Sequence, residues 1–360
     1  MKPKDSVVPV LVSALLFGSS AKTAFCAPQI GQNSEAGEQK KAATLAAQWG
    51  VHASTSSSVP MVDRSVTVHF PEDVSLGRLI VILARGNGAI PSGTKVGGGR
   101  GTSTVKVPAG YWLAFEPNHV VFETPSSLNK VSPEGIDCLR ISFTSLDDKE
   151  DGMCDKTLTY VSRFKGLKSM ILTRSDVTDE GLLNLKNLPL LEHIEFVGAP
   201  VKGTSFSALS TLSHLYSFNC SQCQIEEKYF ALLPQFKLLH VLLVNRCRLT
   251  KAEFQNILQC TKLTHLAIAN NSIVDDDLIK SLAVLKSLRI LDVRGTKATP
   301  AGIMTLKGRI PLKYLYLTDH GNSELDSPRL EKCFPGLQIF WAKRGKLDED
   351  TQVLLSPLSP

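Results

Sequence analysis

The sequence predicts an α/β solenoid: a parallel sheet on a concave face, helices on the convex face, and a small β-rich module in front. Three observations predict it. An apolar column recurs at positions 139, 170, 194, 218, 242, 266, 291, 315 and 340, in steps of 31, 24, 24, 24, 24, 25, 24 and 25 residues. Each column position sits in a short alternating stretch that reads as a strand, followed by helix-start signals. Finally, 43% hydrophobic and 21% charged residues exclude a disordered, collagen-like or polytopic membrane chain.

The chain opens like an export signal, expected over residues 1–27. Lys2 and Lys4 give a positive start, and Val7 to Phe17 is an apolar run too short to span a bilayer comfortably. Small residues follow, with cleavage expected near Ala24 to Ala27; the residues before Cys26 lack the pattern of a lipidation site. Residues 28–60 read as a disordered linker, since Gln, Ser, Gly, Ala and Lys bury too little apolar surface to offset their ordering entropy. Removing Lys2, Lys4, Lys22 and Asp5 from a formal net charge of +6 leaves +4, weak evidence for nucleic acid or anionic membranes as partners. No other stretch approaches membrane-spanning length, so no membrane insertion is expected after signal removal.

Residues 61–133 carry strand signals: Val66, Val68 and Phe70 alternate with polar residues, Leu79 to Leu83 is a continuous apolar run, and Val105/Val107 and Tyr111/Leu113/Phe115 alternate. Gly86-Asn87-Gly88 and Gly97 to Gly101 read as loops. A phosphate loop would need a following Lys-Ser/Thr and a helix, whereas Thr102 to Val107 continues as a strand.

Residues 134–345 hold the repeat. Leu167, Met170, Leu172, Ser175 and Val177 make one copy; Leu239, Leu242, Val244, Cys247 and Leu249 make another; Leu263, Leu266, Ile268, Asn271 and Ile273 a third. A degenerate first copy is read at Ile136, Leu139, Ile141, Thr144 and Leu146, and a degenerate last one at Leu337, Phe340 and Ala342. One strand and one helix of 24 residues cannot enclose a core, but stacked copies can, with right-handed crossovers. Thr299-Pro300 offers a helix cap with Pro in the first turn, and Asp275 offers another. Residues 346–360 read as a flexible tail.

This spacing resembles the leucine-rich repeat family, and specifically its cysteine-containing, ribonuclease-inhibitor-like branch as found in exported bacterial proteins. Val177-Thr178-Asp179-Glu180-Gly181-Leu182 is similar to the opening of that branch's convex helix. The ladder position, usually Asn or Cys, departs from the pattern: Ser175, Ala199, Cys223, Cys247, Asn271, Thr296 and His320 occupy it. Asp147 to Lys156 lengthens the first step as an acidic loop. The resemblance implies a binding module rather than an enzyme.

Cys220 and Cys223 invite a metal or redox reading, but one falls in an inward column and the other at the ladder, so both read as structural thiols. Cys138 and Cys154 flank the acidic insertion and are the best disulfide candidates of an exported chain. His193 and His265 share a concave column three rungs apart. No nucleophile elbow, zinc-helix motif or paired carboxylates accompany them, so no catalytic residue, metal or cofactor is expected. The adjacent Asp275-Asp276-Asp277 cannot supply a calcium loop's alternating ligands.

Residues between the apolar columns should point out of the concave face. The set expected to bind a partner is Val241, Leu243, Ile290, Asp292, Arg294, Tyr314, Tyr316 and Trp341, because exposed aromatic, Arg and aliphatic side chains dominate interface hot spots. Ile339 and Lys343 are placed on the same face. Replacing Tyr316 and Arg294 by Ala should then abolish partner capture without lowering the melting temperature. The expected function is an exported, secreted or periplasmic repeat protein that binds an unidentified protein or peptide, not nucleic acid. The alternatives are a structural envelope component, or an intracellular adaptor if the N-terminal segment is no signal.

Overall fold

The computed structural model describes residue 60 and residues 62–84, 94–143 and 152–343, all within one compact unit, Ala53–Pro360. The expected signal, the linker up to residue 59, Gly86-Asn87-Gly88, the centre of the acidic insertion and the C-terminal tail lie outside the described residues.

Five strands build the leading module: β1 (Arg64–His69), β2 (Gly77–Leu83), β3 (Thr94–Gly98), β4 (Thr102–Val107) and β5 (Tyr111–Pro117). β1 pairs antiparallel with β4, and β2 lies antiparallel between β3 and β5. Nine three- to six-residue strands follow: β6 (Cys138–Arg140), β7 (Ser169–Ile171), β8 (His193–Glu195), β9 (Ser217–Asn219), β10 (Val241–Leu243), β11 (His265–Ala267), β12 (Ile290–Asp292), β13 (Tyr314–Asp319) and β14 (Gln338–Lys343). Each is parallel to the next, and β5 joins β6 in parallel, so module and repeats share one 12-stranded sheet. Three strands of the module, β2, β3 and β5, therefore extend the solenoid sheet, while β1 and β4 form a separate two-stranded sheet. Buried Asp137 ties the joint: it accepts from the Leu113 amide at 2.9 Å, from Lys168 Nζ at 2.8 Å and from Arg64.

Strand side chains alternate between faces. Met170, Ile194, Phe218, Leu242, Leu266, Leu291 and Leu315 stand in register and point into one continuous apolar core under the helices. The last strand differs from expectation. Leu315 pairs with Ile339, not Phe340, so Ile339 and Trp341 face the core and Phe340 faces the opposite side. The final step is thus 24 residues, and a slip of one residue exchanges every side chain between faces. Trp341 Nε1 confirms the side by donating to Ser327 Oγ at 3.0 Å on the last helix, Ser323–Cys333.

The helices are short and capped where the sequence suggests. Thr299 Oγ1 accepts from the Gly302 amide with Pro300 in the first turn, and Asp275 accepts from Leu278 N. Thr250 and Glu253 form a reciprocal capping box. Part of the acidic insertion, Met153–Leu158, is itself helical.

A second set of carboxylates links neighbouring rungs. Asp155 accepts from the Thr178 amide and hydroxyl, Asp276 does the same to Thr299, and Asp179 reaches the Lys202, Gly203 and Ser205 amides. Gly181 and Gly302 make room: a Cβ on either would stand 2.1 Å from a carboxylate oxygen of Asp155 or Asp276. One contact thus recurs, Asp155 against Thr178 and Gly181 and Asp276 against Thr299 and Gly302, in which Thr caps its own helix and Gly admits the previous rung's Asp.

Candidate functional site: the strand face

The strand face is the side of the sheet turned away from the helices. Two columns run along it. The first is Cys138, Ser169, His193, Ser217, Val241, His265, Ile290 and Tyr314; the second is Arg140, Ile171, Glu195, Asn219, Leu243, Ala267, Asp292, Tyr316 and Phe340. Neighbouring rungs stand about 4.8 Å apart, close enough for column neighbours to shield one another.

Most of the expected binding residues do face this way, but they are buried. Val241, Leu243, Asp292, Arg294 and Tyr316 are between 0 and 8% exposed; only Ile290 and Tyr314 are intermediate. Trp341, Ile339 and Lys343 leave the set, because the register of β14 turns them to the helix side. Val241, Leu243 and Ala267 form a small apolar cluster with Tyr216, and Ile80, Ile82, Trp112, Ala114, Cys138 and Ile171 form another near the module. The latter is not legible in the repeat, because it needs β2 and β5 beside β6, and strand pairing is not written in residue order.

Between the apolar clusters lie polar groups. Glu195 is fully buried; it accepts from Thr173 Oγ1 and from Asn219 Nδ2 at 3.2 Å. Burial pushes its carboxyl up to about 7, against the pull of these donors and of Arg140. His193 Nε2 stands 3.8 Å from Glu195 Oε2, but burial lowers His193 to about 4 and His265 likewise, so both imidazoles are neutral at pH 7. Further along, Arg294 holds Asp292 in a fork, Nε to Oδ1 at 3.0 Å and Nη2 to Oδ2 at 3.3 Å. Burial raises the Asp292 carboxyl, and the charge and hydrogen bonds of Arg294 oppose it. The guanidinium lies 5.4 Å from the Tyr316 ring centroid, and Tyr316 stacks on Phe340 at 4.7 Å. Burial pushes the Tyr316 phenol up to about 12.

At the strand ends, side chains take up backbone amides. Ser221 Oγ accepts from Asn245 N, Asn245 Oδ1 from Ala269 N at 2.8 Å, and Thr318 Oγ1 from Gly295 N at 2.8 Å. Among the described residues, three polar atoms on the face are buried without a partner: Trp112 Nε1, Ser217 Oγ and His265 Nδ1.

The cysteines are structural. Cys223 Sγ donates to Phe196 O at 3.1 Å and Cys247 Sγ to Cys220 O at 3.3 Å. Asn271 Nδ2 plays the same part toward Val244 O and Ile268 O, both at 2.9 Å. Burial pushes the Cys223 thiol up to about 12, far from a reactive thiolate. The expected Cys138–Cys154 disulfide is absent; both thiols are free. They stand on opposite sides of the sheet: Cys138 joins the strand-face cluster, while Cys154 packs into the helix-side core and donates to Phe143 O at 3.5 Å. Among the described residues no group of His, Cys, Asp and Glu is arranged to hold a metal.

Nine parallel rungs, one apolar core and a ladder of Ser, Cys, Asn and Thr define a leucine-rich repeat solenoid. No family model matches the chain, and neither does any curated protein. Among solved structures, an internalin (InlF) from Listeria monocytogenes is similar at 14% identity, covering 63% of this chain and 81% of that one, with a TM-score of 0.37. That likeness is too slight to carry an argument about function.

Proposed function

We propose that this chain is a non-catalytic binding solenoid of the cysteine-containing, ribonuclease-inhibitor-like type, and that it takes a protein or peptide segment on its strand face. The observation that carries this reading is the set of orphaned polar atoms there. Ser217 Oγ and His265 Nδ1 are buried without partners, two rungs apart in one column. A buried polar group left unpaired costs about 1–3 kcal/mol, and rotation of the two side chains as a peptide docks would turn both atoms toward its carbonyl and amide groups. The half-buried Ile290 and Tyr314 give such a segment its entrance, beside the apolar cluster of Val241 and Leu243 and the Asp292–Arg294–Tyr316 assembly. The Thr178-Asp179-Glu180-Gly181-Leu182 phrase and the thiol ladder support the assignment to that branch. Export is part of the same proposal: Lys2, Lys4 and the apolar run Val7 to Phe17 support it, and among the described residues no helix is long and apolar enough to cross a membrane.

The test is selection of displayed peptides on the full chain, with Ile290→Glu and Tyr314→Ser variants as comparators. Enriched peptides should bind the wild type and lose at least about tenfold affinity for both variants, as hot-spot contacts do. Peptides that bind wild type and variants equally would place binding elsewhere. The mass of the native N-terminus checks export; retention of Met1 would refute it.

A further inference from the structure

The net charge of the chain conceals a strong segregation along the solenoid. The turns that lead from each helix into β10, β11, β12 and β13 carry Lys237, Lys262, Lys286, Arg289, Arg309 and Lys313, with exposed Lys307 as a further cation beside Arg309. All six are exposed. Residues 233–240, 258–265, 282–290 and 305–314 contain no Asp or Glu. Among the described residues none of the six is in an ion pair. These turns stack directly: the Arg289 amide bonds to Thr264 O, the Lys313 amide to Arg289 O, and Lys262 Nζ to Lys237 O, each at 2.8 Å. Parallel rungs therefore align the cations along one edge, rising about 4.8 Å per rung.

Complementing the helix ends accounts for only part of this pattern. Cations at helix C-termini and carboxylates at N-termini are favourable. The carboxylates at the opposite helix ends, however, are used inside the fold: Asp275 caps Leu278, Asp276 holds Thr299, and Glu253 bonds the Thr250 amide. The six cations have no such engagement beyond the single Lys262 contact, and the number of cations rises toward β13, with one each before β10 and β11, two before β12 and, counting Lys307, three before β13.

We propose that this edge binds a linear anionic polysaccharide, independently of the strand face. Four of the six are lysines, which act as point charges rather than as forks shaped for phosphate. Base stacking needs exposed rings along the row, and the rings nearby are buried, stacked or turned onto the strand face: Phe236 is 4% exposed in the core, His240 stacks on Tyr216 at 4.8 Å, and half-buried Tyr314 belongs to the strand-face column. Membrane seating needs an apolar face, and Val284 is the one large apolar side chain that is exposed in these turns among the described residues. A row of charges without stacking or insertion fits a narrow polyanion lying along the solenoid.

The experiment uses the full chain with heparin as the probe and neutral dextran as the blank. The wild type should bind heparin at about 0.15 M salt, and binding should weaken steeply as salt rises through counterion release. The variant K237Q/K262Q/K286Q/R289Q/R309Q/K313Q should lose roughly tenfold or more in affinity, as removal of several backbone-type charge contacts does. A control replacing Lys95, Lys106, Lys130, Lys202, Lys228 and Lys251 by Gln removes the same charge elsewhere and should bind nearly as wild type. Thermal unfolding checks that each variant is folded; if the sixfold variant is not, its two halves, K237Q/K262Q/K286Q and R289Q/R309Q/K313Q, replace it. No heparin binding by the wild type, equal weakening by edge and control variants, or tighter binding to duplex DNA or phosphatidylserine vesicles than to heparin would each overturn the proposal.

Discussion

Glu195 and Asp292 occupy the same column of the strand face, four rungs apart, and both are fully buried. Their neighbours differ. Glu195 is held by a hydroxyl and an amide beside a neutral imidazole, whereas Asp292 is gripped by a guanidinium. A hydrogen-bond donor without full charge softens burial but does not cancel it, so Glu195 titrates near neutrality. A forked cation adds charge compensation at the same site. One solenoid column thus holds a pH-sensitive carboxyl at one end and an ion pair at the other.

The largest effect should come from breaking the ion pair. Arg294→Ala leaves Asp292 buried without its cation, which costs about 3–5 kcal/mol in comparable cases. This corrects the expectation that Arg294 and Tyr316 can be removed without a change in melting temperature; at 6 and 8% exposure both belong to the folded assembly. Urea unfolding should show Arg294→Ala strongly destabilised and a double variant, D292N with R294M, partly restored. A double variant no better than the single one would show that lost packing, not the stranded carboxyl, is responsible.

Arg294→Ala should also make Asp292 resemble Glu195. With its cation gone, the carboxyl pKa rises further, so the variant's deficit should be larger at pH 8 than at pH 5. A pH-independent deficit would contradict the comparison.

Next in size is Glu195→Gln. The folded pKa of about 7 lies above the ordinary value of 4.5, so stability linked to this group is full below about pH 4.5 and is lost as pH rises through 7. The neutral isostere avoids that loss, and should gain about 1–3 kcal/mol over wild type at pH 8 and nothing at pH 4.5. His193 and His265 act in the opposite sense. Their pKa values fall from 6.5 to about 4, so their contribution is present above pH 6.5 and is lost as pH drops toward 4. Two imidazoles against one carboxyl predict net acid destabilisation between pH 6.5 and 4, steeper in Glu195→Gln than in wild type. Equal slopes in the two proteins would refute the assignment to Glu195.

The smallest effects belong to the links between rungs, on the helix side. Asp276→Ala removes two acceptors for Thr299 and should cost about 1–2 kcal/mol. Gly302→Ala pushes a methyl against the same carboxylate and should cost a similar amount, while adding little in the Asp276→Ala background. Additive losses would mean that the close approach is not the reason for glycine.

Much of this was legible from residue order. Leu239, Leu242, Val244 and Cys247 announce their places because the core of a repeat tolerates only apolar side chains and the ladder wants a small donor. Phe340 and Ile339 are equally apolar, so pattern alone does not set the register of a degenerate last rung, and with it the face that Trp341 takes. Cys138 and Cys154 looked like partners because they bracket an insertion, and sequence proximity is blind to which face of a strand a side chain leaves. The burial of Asp292 and Arg294 was invisible for a related reason: a charged residue at an outward position reads as exposed until its neighbours in adjacent rungs are in place.

By itself, the sequence determined the rung count, the core columns, the caps and the thiol ladder, all of which depend on spacing within about 24 residues. The tertiary structure alone decided that β2, β3 and β5 of the leading module continue the sheet, that β14 slides by one residue, and that the strand face is a packed layer of coupled charges and rings. Those properties arise between rungs, where side chains distant in the chain come within a few ångströms and burial, not residue type, sets their chemistry.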